Sequence, residues 1–210
     1  MSKITFYTNP MSRGQIARWA LHEAGAAYDE VILGYGGDMK SIEYLAVNPM
    51  GKVPAILHEG RAVSEAAAIC LYLAEAFPEA GLAPRDLAER ADYLRWTFFA
   101  AGPVEQAVTN RSMGWEVGDN LQVQGRMGYG SYERTVGVLS ALFETRDYVC
   151  GDRFTAADVY VGSAVDWGLQ FKTLPETPAL QAYAGRLRQR EAYKQAKAID
   201  GAHIAAMQAG

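Results

Sequence analysis

One short stretch, Asn48-Pro49-Met50-Gly51-Lys52-Val53-Pro54-Ala55-Ile56, restricts what this chain can fold into more than any other. It sets a turn directly ahead of a Val-Pro that opens an apolar run. Proline fixes its own φ and has no N–H to give a sheet, so Pro54 belongs at a strand's first residue, at an edge or at a bulge. An X-Pro bond held in such a turn is also where a cis peptide is cheap, at about 0.5–1 kcal/mol. A cis bond there would leave the Val53 N–H and C=O outside the ladder and open to a peptide-like ligand. The plainer alternative is a trans proline starting an ordinary strand.

The residues on either side extend the pattern. Ile4–Thr8 reads as a strand, and a helix from about Arg13 carries Ile16, Ala17, Ala20, Leu21 and Ala24 at helical spacing, with Gly25 as its stop. Tyr28–Leu33 reads as a second strand, and a short segment around Met39–Leu45 leads into the Asn-Pro turn. After Ile56-Leu57 come a Glu59-Gly60 turn, a short strand Arg61-Ala62-Val63, and a helix opening at Ser64-Glu65-Ala66. Strand–helix–strand followed by a hairpin and a helix is a βαβ-ββα order, in which the parallel pair crosses over right-handed. Pro78-Glu79-Ala80-Gly81-Leu82-Ala83-Pro84 then interrupts the chain. Beyond it the periodicity is helical throughout, with stripes Leu87/Ala91/Leu94/Phe98, Val136/Leu139/Phe143 and Leu180/Tyr183/Leu187. Pro103 is expected to kink or break the first of these helices, and the glycine-rich stretch 114–130 reads as a loop. The expected division is therefore an α/β domain over 1–77, a linker over 78–84 and an all-α domain over 85–210.

Charge and cysteine content narrow the functional classes. With 20 basic and 24 acidic residues the net charge is −4, and no run of Lys and Arg forms a stripe for phosphates, so nucleic acid is not an expected partner. No window approaches the ~18 apolar residues of a membrane span, and the first residues lack the apolar core of a secretory signal. Cys70 and Cys150 stand far apart without ligand-spaced histidines, and read as buried inert thiols in a reducing, cytoplasmic setting. His22, His58 and His203 have no metal or catalytic spacing, so no metal is expected.

Several residues have both a structural and a chemical reading. Ser12-x-x-Gln15 is a capping box by pattern, yet a helix start also offers partial positive charge and free N–H groups to an anion. Tyr7 is a strand side chain that packs in the core or offers its hydroxyl to a ligand, and Asn9, in the same turn as Ser12, has an amide to donate. Glu65 offsets a helix dipole or meets an amine. Lys40 and Lys52 flank the Asn-Pro turn as solvated charges or as partners of a small carboxylate. Thr155-x-x-Asp158 caps a helix and has no chemical reading.

Taken in order, Ile4-Thr5-Phe6-Tyr7, Asn9-Pro10-Met11-Ser12-Arg13, the Asn48–Ile56 stretch and Ser64-Glu65-Ala66-Ala67-Ala68-Ile69 resemble the glutathione-binding half of a cytosolic, bacterial-type glutathione transferase. Gly151-Asp152-Arg153-Phe154-Thr155-Ala156-Ala157-Asp158 resembles the helix-capping signature of that family's helical half. The resemblance implies a thioredoxin-like N-terminal domain, an all-α C-terminal domain, and conjugation of reduced glutathione to small hydrophobic electrophiles. It implies Ser12 as the group that stabilises the thiolate, with Tyr7 as competitor and Asn9 as outside candidate. It places the Val53 main chain beside Pro54, Glu65 and the Ala66 N–H around the peptide, with Lys40 or Lys52 at the glycyl carboxylate. Where the family usually has serine this chain has Ala66, so a hydroxyl contact is missing. The turn holds no cysteine, which argues against a thiol–disulfide reductase. Phe98, Phe99, Trp115, Trp167 and Phe171 divide between core and an apolar pocket for the electrophile. The resemblance further implies a homodimer, with Phe77 or Leu94 as contacts, and no cofactor beyond glutathione as co-substrate. The alternative from another class is a non-catalytic binding or scaffold protein of the same fold.

Overall fold

The computed structural model describes residues 3–209. Strands β1 (Ile4–Thr8) and β2 (Tyr28–Ile32) are parallel and joined by helix α1 (Gly14–Glu23). A 3-10 turn at Asp38–Lys40 and helix α2 (Ile42–Val47) lead to the hairpin β3 (Ala55–His58) and β4 (Arg61–Ser64), and helix α3 (Ala66–Ala76) follows. The sheet order is β2-β1-β3-β4, with β3 antiparallel to both β1 and β4. This is the thioredoxin-like arrangement expected from the order of the elements. Alternation along β1 divides its two faces. Phe6 is fully buried beneath the Arg18 guanidinium of α1, whereas Tyr7 joins Tyr44, Met39 and Val47 from the α2 side. Both edge strands carry exposed charge, Asp29 and Glu30 on β2 and Arg61 on β4, which discourages edge-to-edge pairing.

The second compact unit runs from Pro84 to Arg188. It contains α4 (Leu87–Phe99), a π-helical turn at Ala100–Val104, α5 (Glu105–Ser112), α6 (Leu121–Arg126), α7 (Tyr132–Thr145), α8 (Ala156–Gln170) and α9 (Pro178–Arg188). Most of α8 is buried, as expected of a helix that is apolar nearly all round. Phe143 of α7 stacks on Tyr183 of α9 beside it. Pro103 does not break the helix. The missing N–H is absorbed in the π-helical turn, the usual one-turn adjustment to a lost i→i−4 bond. Two other expectations are corrected. The stretch 114–130 contains α6, started by Asn120, whose side chain accepts from Gln122 and Val123. On α4 the buried residues are Tyr93, Trp96 and Thr97, so Leu87, Leu94 and Phe98 face outward at 82%, 41% and 67% exposure. Two apolar stripes compete on that helix, and the aromatic one holds the interior.

The last helix, α10 (Glu191–Ala209), belongs with the first unit, which comprises the residues up to Ala83 together with those from Gln189 onward. The expected helical domain over 85–210 therefore loses its final helix. The reason lies in side chains that only the fold brings together. Fully buried Arg18 of α1 donates to Asp200 at 2.9 Å and to Glu30 at 2.8 Å, and Arg190 donates to Glu23. Tyr193 meets Trp19 edge-on, so α10 lies antiparallel along α1.

Candidate functional site

The sheet register gathers three turns at one end. Tyr7 pairs with Ala55, and Ala55 pairs with Ser64. The exit of β1, the entry of β3 and the exit of β4 therefore lie side by side, so the segments 9–13, 48–54 and 65–66 share that end of the sheet. Asn9 bridges to the neighbouring chain as well, donating to the Leu33 carbonyl just past β2.

In the first turn the Asn9 side chain is buried and bonded at both ends: Nδ2 donates to Leu33 at 2.9 Å and Oδ1 accepts the Met11 N–H at 2.9 Å. That makes Asn9 a brace for the turn. The half-buried Ser12 hydroxyl donates to the Asn9 carbonyl at 2.6 Å and accepts the Gly14 N–H at 2.9 Å. The expected Ser12–Gln15 capping box does not form. The residue preceding the helix is Arg13, with no side-chain cap, and Gln15 turns back to donate to the Pro10 carbonyl. Nor are the first amides of α1 open, because Gln15 N–H and Ile16 N–H are met by the Ser12 and Arg13 carbonyls. What this turn can give an anion is the Ser12 proton, by rotation away from Asn9, together with the field of the helix. Gly14 permits the tight geometry, since a Cβ there would run into Thr8 Oγ1.

The Tyr7 ring is half-buried, 5.4 Å from that of Tyr44, in the small apolar cluster with Met39, Ala55 and Val53.

The second turn is braced by two residues that sequence reasoning passed over. The Tyr44 hydroxyl and Asn48 Nδ2 both donate to the Lys52 carbonyl, at 2.6 and 2.7 Å, and Asn48 Oδ1 accepts the Met50 N–H. Burial pushes the Tyr44 phenol up to about 12, so it stays protonated as a donor. Asn48 was visible as the first residue of an Asx-type turn, whereas nothing local marks Tyr44. Lys40 lies across the same turn, its ammonium 3.1 Å from the Met50 carbonyl and 3.0 Å from that of Gly51. Gly51 has φ +57°, and a Cβ there would stand 2.6 Å from the Met39 carbonyl. Lys52 is exposed. The Val53–Pro54 bond is cis, and since β3 begins at Ala55 the half-buried Val53 stands just outside the ladder beside buried Pro54.

The third segment is the start of α3. Exposed Glu65 precedes the helix with φ +67° and ψ 115°, and no side chain caps this end. A β-carbon residue held at positive φ is uncommon, and strain of this kind concentrates at ligand sites. Ala66, the first helical residue, is buried. The first-turn N–H groups of a helix have no partner within it. Among the described residues no group of His, Cys, Asp and Glu is arranged to hold a metal, and no helix is long and apolar enough to cross a membrane.

Comparison with known proteins converges on one family. Its models match twice: the glutathione S-transferase N-terminal domain over residues 11–76 and the C-terminal domain over residues 131–191. Protein LigF of Sphingobium sp. is 26% identical over 83% of this chain and 85% of its own length. Glutathione S-transferase GstA of Escherichia coli O157:H7 is 27% identical over 76% of this chain and 79% of its own. Among solved structures, the theta class glutathione S-transferase of Xanthomonas axonopodis pv. citri, with glutathione bound, superposes with a TM-score of 0.73 at 29% identity, covering 93% of this chain and 97% of that one.

Proposed function

The chain belongs to the glutathione S-transferase family, and on that premise we propose that it binds reduced glutathione across the three turns and conjugates it, through its sulfur, to a small hydrophobic electrophile. The observation that carries this reading is the register Tyr7–Ala55–Ser64, which puts Ser12, Val53 and Glu65 at the same end of the sheet. In the proposed complex the Val53 main chain pairs with the cysteinyl backbone as an added strand would. Glu65 takes the γ-glutamyl amine, the Ala66 N–H takes its carboxylate, and Lys40 or Lys52 offsets the glycyl carboxylate. The sulfur lies at Ser12.

The chemistry follows from the proton that Ser12 supplies. A hydrogen bond to the sulfur and the positive end of α1 both favour thiolate over thiol, so the pKa of the bound thiol falls. The thiolate lone pair forms the C–S bond. The displaced pair departs with a leaving group or, on an unsaturated carbonyl, comes to rest on the acceptor and takes a proton from water. No cofactor beyond glutathione enters that balance. The electrophile class is set by pocket shape, and aryl halides, epoxides and unsaturated carbonyls all suit it.

One observation favours a second reading, a non-catalytic glutathione-transferase-like binding or scaffold protein: the Ser12 proton already has an acceptor in the Asn9 carbonyl. Calorimetry with glutathione, followed by a substrate panel, separates the two. Binding without thiolate formation or turnover supports the scaffold, and no binding at millimolar ligand removes the site altogether. A cytoplasmic homodimer completes the proposal. Phe77 drops out as a contact, being buried against His58, whereas Leu87, Leu94 and Phe98 present an outward apolar face on α4. A monomer mass by light scattering at micromolar concentration would overturn the dimer.

A further inference from the structure

The Pro10–Met11 peptide plane, immediately before Ser12, is pinned at both ends by side chains. Its N–H donates to Asn9 Oδ1 at 2.9 Å, and its C=O accepts from Gln15 Nε2 at 2.6 Å. Gln15 is itself held from the far side, because its Oε1 accepts from Lys197 Nζ of α10 at 2.7 Å. The direction of this chain of bonds is forced. An ammonium can only donate and a carbonyl can only accept, so the Gln15 amide has one workable orientation between them. The cation on α10 therefore decides which end of Gln15 faces the turn. The ion pairs Arg18–Asp200, on α10, and Arg190–Glu23, just ahead of it, flank Lys197 in the chain and fix the register that sets it opposite Gln15.

We infer that Gln15 and Lys197 are positioning residues for Ser12: α10, through Lys197 and Gln15, sets the Pro10–Met11 peptide and with it the Asn9 carbonyl and Ser12 hydroxyl that must face the sulfur. This rests on the proposed role of Ser12 toward glutathione. Neither residue touches the ligand in that reading, and neither stands out in the sequence, the two being 182 positions apart.

The inference is tested by reversing the polarity of the relay. In Lys197→Glu a carboxylate faces Gln15, which turns its NH₂ toward α10 and its oxygen toward the Pro10 carbonyl, expelling that peptide from its place. Lys197→Arg keeps a donor and restores it. Gln15→Glu retains a partner for Lys197 but has nothing to donate to Pro10 at neutral pH. The readouts are the pKa of the bound glutathione thiol, followed by thiolate absorbance, and the split between kcat and KM for glutathione. The expected result is a rise of about one unit in the bound-thiol pKa and a fall of about tenfold in kcat for Lys197→Glu and Gln15→Glu. The KM for glutathione should change less than kcat, and Lys197→Arg should behave as wild type. Hydrogen exchange at the Met11 amide, measured without ligand, should quicken in Lys197→Glu and Gln15→Glu only. If folded variants keep the wild-type thiol pKa and kcat, or if only the melting temperature moves, the relay is overturned while the reading of Ser12 stands. If the wild-type protein itself fails to bind glutathione or to lower its thiol pKa, that reading fails, and the relay falls with it.

Discussion

The starts of α8 and α3 face the same physical problem and solve it in opposite ways. At α8 the fully buried Asp158 carboxylate accepts from the Val149 N–H at 2.7 Å, the Thr155 N–H at 2.8 Å and the Tyr183 hydroxyl at 3.0 Å, with Thr155 Oγ1 also in reach. Burial lifts its pKa to about 6 against the pull of these donors, so it is still ionised at neutral pH. At α3 no side chain caps the helix, and exposed Glu65 is held at positive φ. The start of α1 lies between them, its amides closed but its serine half-exposed. A helix start whose donors are all met from within the chain belongs to folding. One left uncapped, beside an acid held at positive φ and at the end of a sheet, keeps first-turn amides that no capping side chain meets.

The strongest attempt to break this contrast is Asp158→Ala, which leaves two amides and a phenol unpaired in the interior. It should cost about 3–5 kcal/mol in urea unfolding, since removing one side of a buried charged network strands the other. A loss under about 1 kcal/mol would show that the closed start is not closed in any energetic sense. Ser12→Ala comes next and should act on a different quantity. Bound-thiol pKa should rise and turnover with chlorodinitrobenzene should fall by about 2.7–4 kcal/mol in activation free energy, as for loss of one donor to a developing anion. Glutathione affinity should hold. If instead only thermal stability drops, Ser12 is a brace like Asn9, and if Tyr7→Phe gives the kinetic loss, the donor is the strand tyrosine.

Glu65→Gly sharpens the comparison most directly. Glycine accepts positive φ without a Cβ penalty, so the variant should gain up to about 1 kcal/mol of stability while glutathione binding, read by calorimetry, weakens. Loss of both stability and affinity would mean that Glu65 serves the fold. The smallest effect concerns pH. Burial, helped by Arg18, holds His22 below the ordinary histidine range. The unfolded chain then binds the proton more readily, so stability is lost as pH falls through that range. His22→Gln should flatten this part of the melting-temperature profile relative to wild type.

The sequence made legible what is local. The turn–Val-Pro–apolar run marked the entry of β3, the Glu59-Gly60 turn set off β4, and Thr155-x-x-Asp158 marked the closed start of α8. Distance was the obstacle elsewhere. Tyr44 reaches the Lys52 carbonyl only because α2 folds over the turn, and Lys197 reaches Gln15 only because α10 lies along α1. On α4, helical spacing fitted the outward stripe of Leu87, Leu94 and Phe98 as well as the buried Tyr93, Trp96 and Thr97, because periodicity identifies a face and not what covers it. The Ser12–Gln15 pattern misled for the same reason: the Pro10 carbonyl and Lys197 outbid the helix start for the glutamine.

That α10 packs into the first unit gives the two units different histories during synthesis. Everything the second unit needs, from Pro84 to Arg188, is contiguous and emerges from the ribosome in one piece. The sheet and α1 emerge first, yet the guanidinium of Arg18 has no Asp200 until the far end of the chain has been made. Translation order and completion order are therefore reversed: the unit that begins to emerge before the other is closed after it.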